Sequence, residues 1–230
     1  MDFHIQGRNA LITAASKGLG KATALALAQE GVNICIAARD LTVLNQTAEE
    51  IKRQNSVQVL AVPADVTSRH DLERLVQTVR QELGAVDILV NNAGGPRPGL
   101  FVEMSDEDWL QAFNLNFMSA ARLSRMVLPS MREKRWGRII NITSIGVKQP
   151  MPDLVLSNGV RTGLVAMSKT LASQVASYGI TVNNVCPGYT LTDRVRSLAE
   201  NTATRTGKSS QEVIVEMEAS IPMRRLGKPE

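Results

Sequence analysis

A chain of 230 residues that is 43% apolar and 21% charged is long enough to bury one sizeable core, and α/β chains of this length form a single domain, here residues 1–230. The net charge of +4 is scattered, its densest groups (Arg132 to Arg138, Arg224 to Lys228) are short, and no recognition motif or aromatic platform accompanies it, which argues against a nucleic-acid binder. No stretch approaches the ~18 consecutive apolar residues of a membrane span, MDFHIQGR lacks the features of a signal peptide, and Cys35 and Cys186 have neither metal nor disulfide spacing, so a soluble, cytoplasmic, metal-free protein is expected.

The first strand is read at Asn9 to Thr13. From there one punctuation recurs four times, in which a helical pattern ends in Gly and a β-branched run follows: LAQE-Gly31-VNICIA, RQEL-Gly84-AVDILV, REKRW-Gly137-RIINIT and VASY-Gly179-ITVNNV. Gly past a helix end reaches the left-handed conformation without a Cβ clash, and the short run beside it reads as a buried strand. With Val57 to Val62 this gives six strands separated by helical patterns, which predicts right-handed βαβ units and a Rossmann-type, doubly wound parallel sheet. Asp106 to Lys134 and Ser157 to Ser177 are long helical stretches rich in Ala, Leu and Met. Thr190 to Ser210 is the loosest stretch, followed by a short amphipathic segment, Gln211 to Ala219. It lies beyond strand six, where a lid over a ligand crevice and an ordinary surface excursion are equally open readings. The sequence stops at LGKPE without a final strand, so a missing tail or an edge in need of cover is expected.

The first strand runs into Thr13, Ala14, Ala15, Ser16, Lys17, Gly18, Leu19 and Gly20, and a helix with Ala22, Leu25, Ala26 and Ala28 on its apolar side follows. A small-residue turn at this junction lets backbone N–H groups and the helix N-terminus approach a pyrophosphate. The P-loop is disfavoured, because Ala15 stands where its first Gly is required and Ala22 where its Ser or Thr belongs. At the end of strand two, Arg39 with Lys17 nearby suits a ribose 2′-phosphate and argues for NADP(H). Asp40 is the counterweight, since a shift of one position would favour NAD(H).

With that turn, Asp65-Val66 after strand three, Asn91-Asn92-Ala93-Gly94 after strand four, Asn116, Ser144 in GRIINITS, and Pro187-Gly188 followed by Thr192, the sequence resembles the short-chain dehydrogenase/reductase family, closest to its 3-oxoacyl-[acyl-carrier-protein] reductases. The resemblance spans nearly the whole chain. It implies that Asp65 and Val66 flank the adenine, that Asn91, Ala93 and Gly94 line the cofactor crevice, and that Thr192 contacts the nicotinamide carboxamide. It also implies pairing of the long helices into a homodimer or homotetramer.

The family's catalytic set is Asn, Ser, Tyr and Lys, with Tyr thirteen residues beyond the Ser and Lys four beyond the Tyr. That register lands on Ser157 and Arg161, and Ala14 replaces the first Gly of the fingerprint. A Ser hydroxyl is a far weaker acid than a phenol, and Arg stays protonated, so the pair can stabilise an oxyanion without shuttling a proton. The open readings are Ser144, Ser157 and Arg161 with water as proton source; Tyr189 as a substitute acid, with Lys148 and Asp153 behind it; an NADP(H)-binding module without chemistry; and a structural protein that has lost both functions. The substrate, a small carbonyl or alcohol, would meet Gly95 to Leu100, Gly146 to Leu156 and Thr190 to Ser210.

Overall fold

Alternation along the strands decides which helical layer each side chain joins. In β1 (Asn9–Thr13), Leu11 packs with Leu72, Leu75, Leu123 and Ile139 on one side of the sheet, while Ala10 and Ile12 pack with Ala24, Ile34, Leu44 and Ile51 on the other. The same period of two splits β2 (Asn33–Ala38), with Cys35 on the first side and Ile34 and Ile36 on the second. Strands buried on both faces require a parallel sheet between two helical layers. The computed structural model, which describes residues 2–230, shows that arrangement.

The remaining strands are β3 (Val59–Pro63), β4 (Ile88–Asn91), β5 (Gly137–Ile142) and β6 (Ile180–Val185). All six pair in parallel, in the order β3-β2-β1-β4-β5-β6. Helices α1 (Gly18–Gln29) and α2 (Leu41–Gln54) cover one face, and α3 (Arg69–Glu82) and α5 (Ser119–Lys134) the other. Between β4 and α5 lie α4 (Asp106–Phe113) and one π-helical turn, Asn114–Met118. Helix α6 (Val155–Val175) precedes β6, and α7 (Asp193–Thr206) and α8 (Ser210–Ala219) follow it. Strand order reverses between β1 and β4, which opens a crevice at the carboxyl ends of the strands. The expected six-strand, doubly wound Rossmann-type sheet is therefore present, and no strand follows β6 among the described residues.

Two local expectations are corrected. Gly31, Gly84 and Gly179 do take positive φ (75°, 96° and 70°), but at the fourth junction Arg135 adopts the left-handed conformation (φ 50°) and Gly137 begins β5. Gly137 is needed there for room, because a Cβ would run into the Met131 side chain. Thr190 to Ser210 is mostly helix. Val195, Ala199 and Ala203 recur every four residues, a narrow stripe of small side chains, and Ala199 and Ala203 pack against Val213, Ile214 and Met217 of α8.

Candidate active site

The turn after β1 is shaped by close approach. Gly20, in the first turn of α1, lies so near the strand that a Cβ there would be 2.5 Å from the Ala14 carbonyl oxygen and 2.8 Å from Asn92 Nδ2. Ala14, at the position of the absent glycine, still takes the left-handed conformation (φ 46°), so the backbone path of the fingerprint survives the substitution at a steric cost of roughly 1–2 kcal/mol. The Thr13 hydroxyl donates to the Asn92 carbonyl oxygen (2.7 Å) and accepts from the Asn92 N–H (3.0 Å), binding the ends of β1 and β4 together. Thr13, Ala15, Gly20 and Asn91 consequently sit behind the crevice wall and shape it, whereas Ser16, Lys17, Gly18 and Leu19 form its surface.

One half of the crevice is a cavity of about 980 Å³ that brings together Ser16, Lys17, Arg39, Asp65, Val66, Ala93 and Gly94. Asp40 borders it too, but its carboxylate caps α2 by accepting from the Val43 N–H (3.1 Å). Asp65 likewise turns into its own loop, accepting from the Thr67 N–H and hydroxyl at 2.9 and 2.8 Å. Arg39 has no carboxylate partner among the described residues and is the charged side chain left to meet a ligand at the end of β2.

The other half is a cavity of about 290 Å³ into which β5, α6 and the segment after β6 bring Ser144, Ser157, Arg161, Pro187, Gly188, Tyr189 and Thr192. Ser144 accepts from the Gly146 N–H (3.1 Å), which leaves its own proton free to donate. Ser157 is 6% exposed and its hydroxyl has no partner within the chain among the described residues. Arg161 is 7% exposed. Its Nη1 donates to the carbonyls of Ile142 (2.9 Å) and Thr143 (3.3 Å), and its Nη2 more weakly to those of Ala93 (3.4 Å) and Gly94 (3.5 Å). Burial, and then the nearby Arg194, push the guanidinium down to about 10, still protonated at neutral pH.

Asn116, on the π-turn, does not reach the crevice surface; its Nδ2 donates to the Gly94 carbonyl (2.9 Å) and so fixes the crevice floor from behind. Asn91, Asn116 and Arg161 border one small cavity, and their Oδ1, Oδ1 and Nε atoms are buried without a partner among the described residues. Tyr189 borders the cavity that holds Ser144 and Ser157, but burial and Asp153 push its phenol up, away from the range useful to a general acid at neutral pH. Lys148 and Asp153 do not border that cavity, and Asp153 is paired with Arg205 (3.2 Å).

Of the three expected substrate-facing segments, Gly95, Met151, Leu154 and the start of α7 reach the cavity, while Pro96 to Leu100 do not. Arg194 was not foreseen. It lies in the first turn of α7 and its Nη2 donates to the Pro96 carbonyl (2.6 Å), a contact across 98 residues of sequence that no local pattern announces. The capping role of Asp40 was available, since an acidic residue just ahead of a helical pattern is an N-cap signal.

The family model for short chain dehydrogenases matches residues 8–203. The chain is 36% identical over 226 residues to the 3-oxoacyl-[acyl-carrier-protein] reductase FabG of Pseudomonas aeruginosa, covering 98% of this chain and 87% of that one. It is 35% identical over 214 residues to the oxidoreductase YvrD of Bacillus subtilis, covering 93% and 80%. The crystal structure of L-sorbose reductase from Gluconobacter frateurii, complexed with NADPH and L-sorbose, overlays with a TM-score of 0.93 at 35% identity, over 100% of this chain and 88% of that one. A switch-point crevice with this turn, matched along most of the sequence and throughout the fold, makes the chain an oxidoreductase of the short chain dehydrogenase family.

Proposed function

We propose that the protein is an NADP(H)-dependent reductase of a small carbonyl compound, in which Ser157 and Arg161 take the places usually held by Tyr and Lys. The observation that carries the cofactor half is the division of labour at the end of β2: Asp40 is committed to its helix cap and Arg39 is left beside the crevice. NADPH in the L-sorbose reductase complex supports the same choice. The residues present fit the group. Gly20 lets α1 pack close against the end of β1, Gly18 leaves the turn open on the crevice side, Lys17 and the α1 N-terminus supply positive potential, and Gly94, steadied by Asn116, offers a flat floor.

When bound, the nicotinamide supplies or accepts the hydride. Ser144 and Ser157 donate hydrogen bonds to the carbonyl oxygen as it becomes an alkoxide, and Arg161 adds positive charge from the crevice floor. Because Arg161 remains protonated and the serine hydroxyls are weak acids, the proton comes from water at the open side of the cavity. A homodimer or homotetramer belongs to the same reading, supported by the apolar side chains Phe101 (69% exposed), Val102 (88%) and Leu110 near and on α4. So does a cytoplasmic setting, supported by the two free cysteines. No helix among the described residues is long and apolar enough to cross a membrane.

The test is titration of the protein with NADPH and NADH, followed by NADPH consumption against a panel of small ketones and aldehydes. Tighter binding of NADPH and turnover of at least one carbonyl is expected. Failure to bind either dinucleotide overturns the whole proposal, and binding without turnover reduces it to a cofactor-binding module.

A further inference from the structure

The cavity beside Ser144 and Ser157 is bordered by two guanidinium groups, and among the described residues neither has a carboxylate partner. Arg161 is the deeper one. It spends its Nη hydrogens on backbone carbonyls, and its Nε has no partner among the described residues. Arg194 is half-buried and makes one hydrogen bond, to the Pro96 carbonyl (2.6 Å), so its Nε and Nη1 remain without a partner among the described residues. Its guanidinium rests on Gly95, where a Cβ would come within 2.7 Å of both Nε and Nη2.

The acids that could compensate these charges are engaged elsewhere. Asp193, at the rim of the cavity, pairs with Lys17 (3.5 Å), and Asp153 pairs with Arg205 (3.2 Å). Two like charges that share a partly dehydrated cavity without a counterion are unfavourable; burial holds Arg194 below the ordinary guanidinium range, and burial followed by the nearby Arg194 does the same to Arg161. Met151, Leu154, Val195 and Leu198 give the same cavity an apolar wall. An anionic group on a partly apolar ligand relieves the charge and matches the wall.

We propose that Arg194, backed by the field of Arg161, is an oxyanion-receiving residue that clasps a negatively charged group of the bound ligand from the lid side of the crevice. Two ligands could carry that group: a carbonyl substrate with a carboxylate, as in an oxo acid, and the diphosphate of the dinucleotide. The inference rests on the reductase reading for the identity of these ligands, but not for the existence of the anion site.

Two titrations separate the sources. In the first, 3-hydroxybutyrate and its methyl ester are titrated calorimetrically into the native protein and into Arg194→Gln and Arg194→Lys, with and without NADP. In the second, NADPH is titrated into the same proteins. A charge-assisted hydrogen bond predicts a change of about ten-fold or more in affinity. If the substrate carries the anion, the acid binds at least about ten-fold more tightly than the ester, Arg194→Gln abolishes that preference with NADPH affinity unchanged, and Arg194→Lys retains part of it. If the diphosphate is the anion, Arg194→Gln weakens NADPH by a similar factor and leaves acid and ester alike. The proposal is overturned if Arg194→Gln folds normally and alters neither affinity. Failure of the native protein to bind NADPH sinks the reductase reading, while the acid and ester arm without cofactor still decides the anion site.

Discussion

Arg39 and Arg161 show how differently two basic residues of one site can be read. Arg39 was legible from its place at the end of a strand, and its neighbour Asp40, which seemed to compete with it, is removed by a cap that needs only local sequence to form. Arg39→Ala is accordingly expected to weaken NADPH binding about ten-fold or more while leaving NADH binding nearly unchanged, as read by fluorescence titration of both. Arg161 was located by counting from Ser144, but its surroundings were not legible, because four carbonyls from the ends of β4 and β5 converge on it from distant parts of the chain.

Arg161 also fixes a pH dependence. Burial, with Arg194 nearby, holds its guanidinium down to about 10, below the ordinary guanidinium range, so folding disfavours the charged form. The resulting penalty is complete at neutral pH and is relieved only as pH climbs through about 10 towards the unfolded value. With Arg161 as the cation that steadies the alkoxide, kcat/KM should be flat from about pH 6 to 9 and fall towards pH 10. A rise through that range would contradict this role, since loss of the cation can only slow the reduction.

Among the elements, those with strong punctuation were readable and those with weak stripes were not. Three Gly-terminated helices and their strands stand where expected, because a left-handed C-cap and a buried β-branched run are both local signals. Helix α7 escaped notice because Val195, Ala199 and Ala203 are small and the residues between them are polar. The π-turn that sets back Asn116 has no local signature and follows from packing. The α7–α8 pair is therefore a hairpin held by a small apolar cluster, a capping box at Ser209 and Glu212, and the side-chain contacts Lys17–Asp193 and Arg205–Asp153. Ser209→Ala should cost about 1 kcal/mol, and hydrogen exchange should show faster opening confined to α7 and α8. Uniform loss of protection across the sheet would show that the hairpin is not a separate lid.

At the scale of the whole molecule, one sheet with two apolar layers turns its strand ends toward a crevice, and the candidate residues other than Lys148 and Asp153 line it or lie just behind its wall. That much followed from alternating strands and helices. The exposed apolar side chains of Phe101, Val102 and Leu110 have no local signature that separates a surface helix from a subunit contact, since the two share the same pattern. Light scattering is expected to give a dimer or tetramer, and Val102→Asp together with Leu110→Asp should shift it toward the monomer. A native monomer would remove this part of the proposal.

The proposed function depends on whether a site with Ser157 and Arg161 in place of Tyr and Lys still reduces a carbonyl. The direct measurement is NADPH oxidation by the native protein beside Ser157→Tyr/Arg161→Lys, at matched cofactor saturation, against one set of carbonyl compounds. Native turnover that falls by about ten-fold or more in Arg161→Met is the predicted result. Turnover confined to the Tyr/Lys variant, with none by the native protein, would contradict it.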